Sequence, residues 1–324
     1  MLEFKHILVA IADPTAKNAP AVARAAALAR RTGAQVTLFH SLYSPYVAGE
    51  QFYSPDALQK DIEAAVNARK AELEKLARGL RDEGLDVHVR VRWDYPVHES
   101  IVREVMRERI DLLVVGSHRH GAAARLVLSN TDWQVLRLCP CPVLLAKSAR
   151  PYDRARVLTA VDPMHAHAKP AGLDELLLTT GLSFADAFAG TLHAAHFYTL
   201  ATPFTSGLLV EPVPLPPEIG EEHAKEVATA FDTLVGRFGL GPRRRHLRVG
   251  LPVDELPALA EEVDAHLVVM GAVSRSGLKR LFIGNTAERV IDALKTDVLV
   301  VKPAGFKTPV PKRPTSRPVV LPPL

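Results

Sequence analysis

Residues 111–147 and 266–302 carry one pattern twice, and nothing else in the chain limits its fold so tightly. In both stretches a short apolar run ends in glycine and a polar loop follows. An Asn-Thr pair then opens an amphipathic helix, and a second apolar run closes the unit. Gly116 answers Gly271, Asn130-Thr131 answers Asn285-Thr286, and Lys147 answers Lys302, all at an offset of 155 residues. So long a period excludes a solenoid and predicts two copies of one domain. The apolar runs are short and β-branched, as buried strands are. Asn is read as the helix cap, because its side-chain oxygen accepts a free helical N–H. A loop that leaves a strand and feeds a helix N-terminus is a natural anion site, since free N–H groups and the helix dipole both face it.

The rest of the chain alternates strand and helix. Strands are expected at 6–11, 36–40, 87–92, 111–116 and 143–147, and again at 156–161, 192–200, 247–249, 266–270 and 298–301. Helices are expected between them, several opened by Pro (Pro55, Pro96, Pro252) and closed by Gly (Gly33, Gly84). This alternation predicts an α/β fold, each half a five-stranded parallel sheet with helices on both faces. The domains are drawn at 1–150 and 151–303, followed by a Pro-rich tail at 304–324. The segment 201–217 breaks the pattern. It holds five prolines among Phe204, Leu208, Leu209, Val210 and Leu215. It is expected to be a restricted loop that either lids an apolar cavity beside the second anion loop or packs on the first domain or a neighbouring chain.

Composition narrows the function. The formal charge of +4 is slight for 324 residues, and the run Arg243-Arg244-Arg245 is too short for a nucleic-acid face. Cys139 and Cys141 form neither a disulfide framework nor a zinc set, which suits a reducing, cytoplasmic setting. No apolar run is long enough to insert into a membrane. His118/His120 and His165/His167 lack further ligands at suitable spacing, so no metal is expected. There is no G-x-S-x-G elbow and no Walker lysine, and no catalytic residue is assigned.

At this level the chain resembles the universal stress protein family. Each half has a first strand closing in Asp-Pro (Asp13, Asp162) and the late glycine-led loop before a helix. The family's nucleotide binders carry Gly, two residues, Gly, nine residues, then Gly with Ser or Thr. The second half offers Gly271, Ser274, Gly284 and Asn285 at those steps, and the first offers Gly116, Arg119, Ser129 and Asn130. The words around Thr131-Asp132-Trp133 and 284–288 are similar to the tandem, two-domain E type. The resemblance implies an adenine-nucleotide-hydrolase-like fold, with the two domains paired as an intrachain pseudo-dimer and a further homodimer open.

By the same resemblance, the chain is expected to be a cytoplasmic stress-response protein that binds a small ligand without turnover. ATP or another phosphate-bearing or amphipathic molecule is expected mainly in the second domain. The expected contacts there are Asp162, Gly271, Ser274, Arg275, Gly277, Lys279, Gly284, Asn285 and Thr286. Weaker equivalents in the first domain are Asp13, Gly116, Arg119, Asn130 and Thr131. Two rivals stay open: a weak ATP hydrolase or phosphotransferase, and a ligand-free scaffold for a protein partner.

Overall fold

The computed structural model describes residues 4–15, 20–43, 55–116, 128–148, 150–164, 172–206, 209–214, 216–271 and 284–314. They divide into two compact units. One comprises the described residues within 150–305, and the other those within 4–148 together with 306–314.

The first unit runs β1 (His6–Ala10), α1 (Pro20–Thr32), β2 (Gln35–Leu42), α2 (Pro55–Asp82), β3 (Val87–Trp93), α3 (Val97–Arg107), β4 (Leu112–Gly116), α4 (Asn130–Leu138) and β5 (Val143–Ala146). Its strands are all parallel, in the order β3-β2-β1-β4-β5. The central strands are apolar without alternation because helices cover both faces: Leu112, Leu113 and Val114 are wholly buried. α1 meets the sheet through Ala21, Val22, Ala25, Ala26, Leu28 and Ala29, the spacing of a helical stripe. The tail belongs to this unit as well, with Val310 buried.

The second unit repeats the plan with β6 (Arg156–Ala160), α5 (Leu173–Ala187), β7 (Thr191–Tyr198), β8 (Ala201–Ser206), β9 (Leu209–Pro214), α6 (Pro217–Gly236), β10 (Arg245–Val249), α7 (Pro252–Glu262), β11 (Leu267–Gly271), α8 (Asn285–Ala293) and β12 (Asp297–Val301). Its parallel sheet runs β10-β7-β6-β11-β12. In both units the strand order reverses beside the first strand, and the crevice at the carboxyl ends there is where such sheets bind ligands.

Two local expectations change. The segment after β7 is a two-stranded antiparallel hairpin, β8 with β9, in which Pro203 stands opposite Pro212. A ribbon with free edges tolerates proline because half of its N–H groups face away from the partner. The apolar residues expected to form a lid there lie outside the described side chains. The helix caps also sit one residue earlier than Asn130 and Asn285, at Ser129 and Gly284. Among the described residues no helix is long and apolar enough to cross a membrane.

Candidate functional site

β4 and β11 end at Gly116 and Gly271, and the two glycines differ in what surrounds them. A Cβ on Gly271 would lie 3.1 Å from Leu173 Cδ2, at the start of α5. A Cβ on Gly116 would meet Ala21 Cβ at 3.6 Å, an ordinary contact. In the second unit the glycine therefore lets a helix N-terminus close on the strand end. Beyond these glycines, Arg119 in the first loop and Ser274, Arg275, Gly277 and Lys279 in the second lie outside the described residues.

The helices that follow the loops differ more. In the first unit Ser129 and Asp132 form a capping box. The Ser129 backbone N–H and Oγ donate to Asp132 Oδ2, both at 2.8 Å, and the Asp132 N–H donates to Ser129 Oγ at 3.2 Å. A buried carboxylate thus occupies the N-terminus of α4, where an incoming anion would meet its charge. Asn130 is exposed and Thr131 half-buried on that same capped turn. In the second unit Gly284 caps α8 without a side-chain hydrogen bond, and Ala287 stands at the step of Asp132. Asn285 and Thr286 are exposed beside it. Among the described residues this N-terminus carries the orphan N–H groups of a helix start with no side-chain cap bond, and its first-turn carboxylate is Glu288, one step past that of Asp132.

The strand-end aspartates are not equivalent. Ile11 N–H donates to the Phe39 carbonyl and Val161 N–H to the Ala195 carbonyl, so Ile11 and Val161 match. Asp162 is then one residue past the matched position and Asp13 is two past it. Asp13 is an exposed turn residue whose Oδ1 accepts from Thr15 N–H and Oγ1 at 2.8 and 2.7 Å. Those two bonds hold its carboxyl below the usual range. Asp162 is half-buried, and its N–H donates to Asp174 Oδ1 at 3.1 Å, in the first turn of α5. Asp162 Oδ1 lies 3.9 Å from His196 Nδ1. Two carboxylates and an imidazole thus converge at the strand end of the second unit.

Sequence reasoning passed over His40 and His196. Both are buried at the ends of β2 and β7. Each directs Nδ1 to the carbonyl of the residue just past the first strand of its unit, Ile11 at 2.8 Å and Val161 at 3.0 Å. Burial lowers the pKa of His40, which favours the neutral ring with Nδ1–H donating to the Ile11 carbonyl. Their recurrence at one step of both copies was visible in the sequence.

Both halves match the model of the universal stress protein family, over residues 3–147 and 155–302. Universal stress protein E of Escherichia coli K12 is 30% identical over 96% of this chain and 98% of its own. The Photorhabdus laumondii protein of that name is 29% identical over 96% and 98%. Among solved structures, a protein of unknown function from Pseudomonas aeruginosa PAO1 superposes with a TM-score of 0.72 at 27% identity, covering 93% of each chain. A universal stress protein from Archaeoglobus fulgidus shares the fold, with a TM-score of 0.64 at 17% identity over 93% of this chain and 99% of that one.

Proposed function

The chain belongs to the universal stress protein family, in its tandem two-domain E type, and on that premise we propose that it serves stress response by holding a phosphate-bearing small molecule in its second unit, without turning it over. One contrast carries this reading: α8 begins at Gly284 with no side-chain cap, whereas α4 is stoppered by Asp132. A phosphate at α8 would accept from N–H groups at 284–287 and from the exposed Asn285 and Thr286 side chains. Arg275 and Lys279, in the loop that feeds this helix, would neutralise its charge. Asp162 and Asp174 would accept from hydroxyl or amino groups at the other end, the polar pattern of a nucleoside such as that of ATP. Gly271 admits the helix that brings Asp174 there.

The test transplants the stopper. In Gly284→Ser with Ala287→Asp, the second helix acquires the first helix's capping box. Titration calorimetry of the full chain with Mg-ATP is expected to show at least a tenfold loss of affinity in this variant. Phosphate release, followed in parallel, is expected to stay at the buffer rate. Undiminished binding would overturn the assignment to α8, and enzyme-dependent phosphate release lost in the same variant would favour a hydrolase.

A further inference from the structure

The first unit holds a cavity of about 590 Å³ at the carboxyl ends of β2 and β3, bounded on its other side by α2. That volume is in the range of small-molecule sites. It belongs to the unit whose α4 terminus is stoppered.

Its shape follows from two sequence features. α2 presents Asp61, Ala65, Ala68 and Arg69 to it, one helical face whose middle is kept small. The opposite wall is aromatic. Tyr43 lies with its ring centroid 5.8 Å from that of Trp93 and 4.8 Å from that of Tyr95, which is largely exposed. Flat aromatic ligands fit such walls by offset or edge contacts.

The aromatic wall is fixed before any ligand arrives. Arg103, almost wholly buried, donates from Nε and Nη2 to the two carboxylate oxygens of Asp94, both at 2.9 Å, and from Nη1 to Glu99 at 2.8 Å. It also reaches the Tyr95 carbonyl at 3.3 Å. Ser41 Oγ donates to the Asp94 carbonyl at 3.1 Å, and Asp94 N–H to the Leu42 carbonyl at 3.1 Å. The turn bearing Trp93 and Tyr95 is thereby tied to β2 and α3, and a preformed wall lowers the ordering cost of binding.

The polar ends of the cavity are opposite in kind. Arg69 pairs with Glu72 at 2.8 Å, both partly exposed. Such a pair is weak, so the guanidinium is cheaply redirected to a ligand anion. Asp61 is exposed two turns earlier on the same face, roughly 12 Å along the axis from Arg69 at the helical rise. A carboxylate there accepts from an O–H or N–H and repels a second anion. The second unit differs at the matching step. By strand pairing, Leu42 lies beside Trp93 and Tyr198 beside Val249, so an aliphatic side chain replaces the indole.

We propose that this cavity binds a planar aromatic monocarboxylate, its ring against Tyr43 and Trp93, its carboxylate on Arg69, and a hydroxyl or ring N–H at its far end on Asp61. The probe is 6-hydroxy-2-naphthoate, which carries both groups at opposite ends of a bicyclic ring. Titration calorimetry on the full chain is expected to show one saturable site. Trp93 fluorescence in a Trp133→Phe background is expected to change with the same midpoint. Ala68→Leu, at an exposed helix position that tolerates a larger side chain, should abolish binding by filling the cavity. Arg69→Met should weaken the probe at least tenfold while leaving 2-naphthol unchanged. Asp61→Asn should erase the preference for the hydroxylated probe over 2-naphthoate. Saturating Mg-ATP should leave all of this unaffected, which separates the site from the one on α8. Absence of saturable binding at millimolar probe would overturn the proposal, as would binding indifferent to both Ala68→Leu and Arg69→Met.

Discussion

Asp132 and Ala287 stand at the same step of the same helix in the two units, and most of what distinguishes the units is of this scale. The sheets share strand order, and their central strands are buried on both faces, so substitutions there are confined to apolar residues of similar volume. The carboxyl ends of the strands and the first turns of the helices carry no such restriction. In the first unit those positions hold a self-satisfied helix cap, an exposed turn aspartate and a fixed aromatic wall. In the second they hold an uncapped helix start, two converging carboxylates and a hairpin. A duplicated fold therefore diverges in chemistry without diverging in architecture, because the two depend on different residues.

The largest expected effect tests the rigidity of the first unit's β3–α3 turn. Arg103→Ala would strand the Asp94 and Glu99 carboxylates around a buried vacancy. It should cost that unit about 3–5 kcal/mol in denaturant unfolding, and a loss under 1 kcal/mol would show that the turn is held by other means. Next is the glycine pair. Gly271→Val drives atoms into Leu173 and should cost about 1–3 kcal/mol. Gly116→Ala, with its contact at 3.6 Å, should stay within about 0.5 kcal/mol of the parent. Equal costs would remove the packing distinction between the strand ends.

The caps come third. Ser129→Ala should lose about 1 kcal/mol, whereas Gly284→Ser should gain only about a few tenths of a kcal/mol, read from the same unfolding curves.

The smallest effect is a pH slope. His193 Nδ1 and His246 Nε2 are 3.0 Å apart in stacked rings. Burial, then His246, Arg244 and Arg156, lower the His193 pKa to about 4. A neutral native imidazole opposes an unfolded one that protonates near 6.5, so this contribution to stability is full above that pH. It is lost as pH falls towards 4. The ring is half-buried, which limits the effect to the order of 1 kcal/mol after screening. His193→Asn should flatten the dependence of melting temperature on pH between 7 and 4.5. An unchanged slope would assign it elsewhere, for instance to His40, whose pKa is also lowered by burial.

The strands and helices were legible because their signals are local: unbroken apolar runs, Pro at helix starts, Gly33 and Gly84 at positive φ where helices end. The caps were misplaced by one residue because Asn130 and Ser129 are both good caps. Only the reciprocal bonds between Ser129 and Asp132 choose between them. The hairpin was hidden because five prolines argue against a strand, and a free-edged ribbon is the exception to that rule. Asp13 and Asp162 share an Asp-Pro word but not a register, and the ladder that exposes the slip involves residues from another strand. The aromatic cavity was not legible at all. Tyr43, Arg69 and Trp93 lie far apart in the chain, and Arg103 looks like any surface arginine on a helix until Asp94 is folded against it.

The placement of residues 306–314 within the first unit means that this domain is finished last. Its sheet is complete in the chain by residue 148, yet the tail that groups with it buries Val310 and so covers a spot on the unit. On a ribosome extending at about 5–20 residues per second, that spot stays uncovered for roughly ten seconds or longer while the whole second unit emerges. The second unit is in effect an insertion within the first. Chaperone demand during synthesis should therefore fall on the earlier domain, and a nascent chain stalled before residue 306 should expose a greasy site that the finished protein hides.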